Sequence, residues 1–185
     1  MSSVKSFRSF LKSITPWIVL YLYRKIRSLP EDFPTIIKFI TTQTKTKTTF
    51  FKRFKLVLKF YRISYWVECP HSEGEMIRVV FAILSREPSE KSILVEAGSY
   101  KGGSTAKLSL AARLAGKRLY VFDSFEGIPE NQEQHGRNIF GGAAYFNEGD
   151  YAGSLDEVRA AVSKFGDISV CEFIKGWFED TMASF

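Results

Sequence analysis

The spacing of apolar positions divides the chain near residue 68. Residues 4–28 alternate basic with aromatic or aliphatic side chains at roughly helical spacing until Pro30 and Pro34 interrupt the pattern, which predicts one or two short helices. The stretch TTQTKTKTTFFKRFK at 41–55 opens as a Thr and Lys tract and becomes basic and aromatic; it reads as a linker or mobile surface segment. From Gly74 to Ser85, apolar residues at 76, 77, 80, 81 and 84 mark one buried helical face. SILVEAG, ending at Gly98, is short, β-branched and apolar, as expected of a parallel strand buried on both faces. Ser104 is placed to cap a helix running to about Ala115, with Gly116 to end it. RLYVF at 118–122 is a second buried strand, so the order is strand, glycine turn, helix, strand: a right-handed βαβ unit of an α/β sheet.

Residues 124–153 hold six glycines and no periodicity, the pattern of a lid or binding loop. SLDEVRAAVSKFG at 154–166 then predicts a second helix, with Ser154 and Glu157 in capping-box spacing. ISVCEFI at 168–174 is the third strand. The resulting organisation is a basic, aromatic-rich extension and linker over 1–68 followed by an α/β domain over 69–185.

Charge follows the same division. The net charge is +6, yet residues 1–69 carry 14 Lys or Arg against 3 Asp or Glu, while residues 70–185 carry 12 against 17. The basicity belongs to the N-terminal third, and three partners fit it: an anionic membrane surface, a nucleic acid, or a partner subunit in a homo-oligomer. Aromatic residues among Lys and Arg at 50–62 suit an interfacial helix or subunit packing, and no recognised nucleic-acid motif is present. The longest apolar run, PWIVLYLY at 16–23, falls short of the roughly 20 residues of a spanning helix. Arg24, Lys25 and Arg27 then stand where a signal peptide would need small residues. Cys69 and Cys171 match no metal-ligand spacing, so a reduced, cytoplasmic protein with two free thiols, possible attachment to the membrane being peripheral, is the expectation.

Candidate chemistry gathers at the first two strand ends. A glycine turn between strand and helix brings backbone N–H groups and the positive end of the helix dipole to a ligand, which suits nucleotide-like molecules in general. Glu96, two residues before Gly98, would repel the pyrophosphate of a dinucleotide but can accept hydrogen bonds from an ammonium such as the methionine end of S-adenosylmethionine (SAM). GSYKGG also fails the G-x-G-x-x-G fingerprint, which weighs against a nicotinamide-dependent oxidoreductase. Asp123 follows Gly103 by 20 residues, where an acid can take the hydroxyls of a ribose. The competing reading is a helix cap or a solvated strand end for either acid.

VEAGSYKGGST, VFDSFEGIPE, GDYAGSLDEVRAAV and FIKGWFEDT resemble, in order and spacing, the macrocin O-methyltransferase family over about residues 70–182. The resemblance implies a Rossmann-like SAM-dependent methyltransferase fold and methyl transfer to a hydroxyl of a sugar, glycan or natural product. It implies that Glu96, Gly98, Gly103 and Ser104 hold the methionine and ribose portion, Asp123 the ribose, and Gly176 with Trp177 the adenine. Ser99, Tyr100 and Ser124 lie in the same motifs and are carried over as cofactor-binding. A divalent metal, magnesium, is implied too, but its ligands belong to strands beyond the third, and the acids at 148–150, 179 and 180 lack metal-ligand spacing. The expectation is the cofactor-binding half of a methyltransferase, inactive by itself; a membrane-surface scaffold that has lost catalysis is the alternative. Blander readings stand beside these: His135 is a general base or a solvated loop residue, His71 is a turn residue, Trp177 and Phe178 stack on adenine or fill core, and Tyr145 and Phe146 line an acceptor pocket or pack the loop.

Overall fold

The computed structural model describes residues 29–87, 92–130, 147–183 and 185. Residues 29–41 are helical (α1). The helices expected within 4–28 lie outside the described residues. Pro30 and Pro34 sit inside this helical stretch rather than breaking it; each withholds one backbone amide from the helix's hydrogen bonds.

The 41–55 segment is not a mobile linker. Thr44 and Thr48 are buried and their hydroxyls bond to each other at 3.0 Å. The amide and hydroxyl of Thr46 both donate to the Leu84 carbonyl, at 3.1 and 2.9 Å. The buried Arg53 guanidinium donates to the Ile40 carbonyl at 2.9 Å and to that of Thr48. Thr49 then caps helix α2 (Phe50–Trp66), accepting from the Lys52 amide. Helix α3 (Glu73–Ser85) begins with a full capping box between Ser72 and Glu75, and Ser72 also donates to Asp32 of α1 at 3.0 Å.

Strand β1 (Leu94–Ala97), helix α4 (Gly103–Ala115), strand β2 (Leu119–Asp123), helix α5 (Leu155–Phe165), a 3₁₀ turn (Ile168–Val170), strand β3 (Cys171–Lys175) and helix α6 (Phe178–Thr181) complete the order. The expected capping box of Ser154 and Glu157 opens α5, and Gly116 ends α4 in the left-handed conformation. The predicted cap at Ser104 is displaced: Gly102, at φ 80°, is the N-cap, and Ser104 lies within the first turn. The three strands are parallel in the order β1-β2-β3, with Leu94 opposite Leu119 and Leu119 opposite Cys171.

Helices α1 to α5 share one core, in which Phe39, Phe60, Ile77, Val80, Ala106 and Val158 are almost fully buried. Leu119, Val121 and Ala112 form its continuation onto the sheet. Residues 29–66 thus pack into the same body as the α/β unit. On the other sheet face, Phe185 covers Tyr120 and Phe122 at centroid distances of 4.9 and 5.1 Å. Val95 of β1 is 44% exposed there, so β1 is buried on one face only, because among the described residues no helix covers its second face. No described helix is long and apolar enough to cross a membrane.

A buried polar cluster joins the N-terminal helices to α4. Lys107 of α4 is completely enclosed; its Nζ donates to Ser64 Oγ at 2.7 Å, lies 3.5 Å from Glu73 Oε1 and 3.7 Å from Cys69 Sγ, and sits over the Phe60 ring. Glu73 is equally enclosed. A charge left alone there cannot be solvated, so Lys107→Ala should destabilise the fold by about 3–5 kcal/mol, whereas Lys107→Met with Glu73→Gln should recover much of that loss. Urea unfolding of the three proteins measures both; a loss below about 1 kcal/mol for Lys107→Ala would show that the pair does not hold the layer in place.

Candidate functional site

The carboxyl ends of all three strands open on one cleft of about 690 Å³. In open α/β sheets, ligands bind outside these strand ends. Gly98, Ser99, Tyr100 and Ser104 line it from the turn after β1, Asp123 and Ser124 from the end of β2, and Gly176 and Trp177 from the end of β3. Eight of the ten residues expected to hold a cofactor therefore meet on one surface. Glu96 and Gly103 do not line it.

Gly103 has a packing reason instead. A Cβ there would stand 2.9 Å from Cys69 Cβ and 3.0 Å from the Glu68 carbonyl, so the missing side chain lets the 67–72 loop lie against the start of α4. Lys101 clamps the same loop through Glu68 at 2.8 Å. The loop carries Pro70 and His71 into the cleft wall. His71 is thus more than a turn residue; its Nδ1 faces Glu75 Oε2 at 4.0 Å. Sequence reasoning missed this wall, because only the tertiary contact of Gly103 with Cys69 brings it to the strand ends.

Glu96 lies directly under the turn, 8% exposed. Its Oε1 accepts the Ser104 hydroxyl at 2.6 Å, while Oε2 is buried without a hydrogen-bond partner. Burial pushes its carboxyl up to about 7 against the opposing hydrogen bond of Ser104, and the charge of Asp123 adds to the rise. Ser104 therefore stands between the acid and the cleft.

Asp123 is tied into the backbone. Its Oδ2 accepts from the Ser99 amide at 2.5 Å and the Ser99 hydroxyl at 2.8 Å, and Oδ1 accepts from the Phe125 amide at 2.8 Å. A carboxylate offers about four acceptor positions, so roughly one remains for a ligand, and a second opens if the Ser99 hydroxyl turns away. Asp123 thus holds the β1 and β2 turns together as well as facing the cleft.

The remaining wall is aromatic. Trp177 (36% exposed) and Phe178 (45%) present part of their rings after β3, and Tyr151 packs edge-on against Tyr100 at 5.7 Å. Tyr100, Phe125 and Tyr151 all adopt positive φ, 49°, 58° and 59°, a conformation costly for side chains of this size. Tyr151, Gly127, Ile128 and Pro129 were not singled out from sequence, since the glycine-rich stretch shows no period to place them; Glu179, read there only as an acid without metal-ligand spacing, lines the cleft as well. His135, Tyr145 and Phe146 lie outside the described residues. Among the described residues, no three His, Cys, Asp or Glu side chains stand together to hold a metal, so these residues do not fit the magnesium that the resemblance implies.

A three-stranded parallel sheet with a glycine turn, a strand-end acid and an aromatic-walled cleft defines an α/β unit whose candidate site lies at the strand ends. Residues 88–185 match the family model described as Macrocin-O-methyltransferase (TylF), and the chain belongs to that family. It is 34% identical over 96 residues to the 8-demethyl-8-(2,3-dimethoxy-alpha-L-rhamnosyl)-tetracenomycin-C 4'-O-methyltransferase of Streptomyces olivaceus. That similarity covers 48% of this chain and only 36% of the relative's length. No solved structure matches the chain. Family membership sets the oxidoreductase alternative aside.

The buried acid has a measurable consequence. Between about pH 4.5, its ordinary value, and about pH 7, the folded chain keeps on Glu96 a proton that the unfolded chain has released. Stability attributable to this group is therefore highest at the acid end and falls as pH rises through that window, by about 3 kcal/mol in all. Glu96→Gln stays neutral and should flatten the fall, as urea unfolding at about pH 5 and about pH 8 would show. Identical pH dependence in both proteins would mean that Glu96 ionises without penalty.

Proposed function

We propose that the chain binds SAM in the strand-end cleft, in a Rossmann-like methyltransferase fold, and serves methyl transfer to a hydroxyl of a sugar or glycosylated natural product. The observation that carries this reading is the convergence of the family's motif residues on one cleft. The relative's name, a 4'-O-methyltransferase for a rhamnosyl tetracenomycin, supports a sugar hydroxyl as acceptor. SAM, when bound, would supply an electrophilic methyl group on its sulfonium, and transfer to the acceptor oxygen would leave a thioether and release the hydroxyl proton to solvent.

The chain's own residues divide the binding work. Trp177 and Phe178 offer ring faces to the adenine. Asp123 and Ser99 offer acceptors to the ribose hydroxyls, and the turn at Gly98 offers the methionine end backbone close to the N-terminus of α4. Glu96 lies behind Ser104 near that end, and an ammonium bound there would favour its ionised form over the proton it otherwise keeps. A dinucleotide would place a pyrophosphate over the same acids and be repelled. Holding donor and acceptor in line is the main catalytic contribution available to such a site, since it removes the entropic cost of bringing two substrates together.

Titration calorimetry with S-adenosylhomocysteine and with NAD tests the reading. Heat with the first and none with the second is expected. Trp177→Ala should weaken S-adenosylhomocysteine binding about tenfold, equivalent to losing about 1.4 kcal/mol of ring contact, with no change in melting temperature, because this side chain is part-exposed. Binding to NAD alone, or unchanged affinity in the variant, would overturn the assignment of the cleft.

A further inference from the structure

Helix α2 has two working faces, and the core uses one. Arg53, Leu56, Val57, Phe60, Ile63 and Ser64 are buried. At 100° per residue, the outward arc carries Phe54, Tyr65, Leu58 and Phe51 on one side and Arg62, Lys55, Lys59 and Lys52 on the other. All eight are exposed, Phe51 by 72% and Leu58 by 54%. The helix contains no Asp or Glu. Among the described residues, the ion pairs use other cations, and none of Lys52, Lys55, Lys59 and Arg62 is matched to a carboxylate. In α1, Leu29, Phe33 and Ile37 form a second exposed stripe four residues apart.

We propose that this outward face of α2 docks on an anionic phospholipid surface. Aromatic and aliphatic side chains beside a row of unpaired cations are what an interfacial helix needs, because apolar burial at the headgroup boundary and attraction to anionic headgroups act together. The charge division orients the docking: residues 70–185 carry 12 cations against 17 acids and are repelled by the surface that attracts the helix. A second copy bound through the same face would bring cations against cations. A nucleic acid would satisfy the cations and leave Phe51, Phe54 and Leu58 in water.

The test uses the full chain and vesicles of phosphatidylcholine with or without phosphatidylglycerol, sedimented at low and high salt. Pelleting with the anionic vesicles, release by salt and little pelleting with neutral ones are expected. Replacing Lys52, Lys55, Lys59 and Arg62 together by Gln should weaken binding by roughly fivefold per side chain, enough to abolish pelleting, and leave the thermal melt unchanged. Phe51→Ser with Leu58→Ser should lower the salt concentration that releases the protein. Equal pelleting with both lipids, none with either, or undiminished binding of the fourfold variant would overturn the proposal. So would self-association without vesicles that the same Gln substitutions change. Should the fourfold variant fail to fold, the lipid and salt arms on the unaltered chain still decide.

Discussion

Helix α4 can be packed closely on its inner flanks, and the rest of the molecule depends on that. Gly103, Ala106, Ser109, Ala111 and Ala112 present little beyond backbone, so α2, α3, α5 and the sheet all come against the same 13-residue helix. Close contact of this kind is intolerant of added volume. The one long side chain on the buried surface, Lys107, is admitted because Ser64, Cys69 and Glu73 surround its ammonium. Ser64 and Glu73 flank, and Cys69 lies in, the loop that forms one wall of the cleft, so the contact that anchors the N-terminal helices also shapes the site.

From this follows the division of labour at the strand ends. Asp123 spends most of its hydrogen-bonding capacity on Ser99 and Phe125, which fixes the two turns relative to each other before any ligand arrives. Positive φ at Tyr100 and Phe125 falls within those turns, and strain of that sort persists only where surrounding structure enforces it. A cleft fixed in this way, with a buried acid behind Ser104, is the basis of the proposed cofactor site. It does not by itself choose the acceptor, for which the similarity to a sugar O-methyltransferase is the guide.

The α/β unit was legible in the sequence because each of its elements is locally consistent. SILVEAG and RLYVF are strand-forming in their own composition, Gly116 and the Ser154 box mark helix ends chemically, and the glycine turn between them needs no distant partner. What was misread depends on contacts far along the chain. The Thr and Lys tract looks unstructured until Thr46 meets the Leu84 carbonyl and Arg53 the Ile40 carbonyl. Ser104 has the composition of a cap, but the left-handed Gly102 caps the helix two residues earlier and frees the Ser104 hydroxyl for Glu96. His71 has no signal of its own, since its place in the cleft is set by the fit of Cys69 against Gly103.

The central claim is that one strand-end cleft receives the whole cofactor, and amide chemical shifts report this most directly. In a ¹⁵N-labelled chain titrated with S-adenosylhomocysteine, the account predicts saturable shifts at Gly98 to Ser104, at Asp123 to Phe125 and at Gly176 to Phe178, with little change at Val79 to Ser85 on α3, which do not line the cleft. Shifts confined to the α3 and β1 edge, or spread evenly over the protein without saturation, would contradict it.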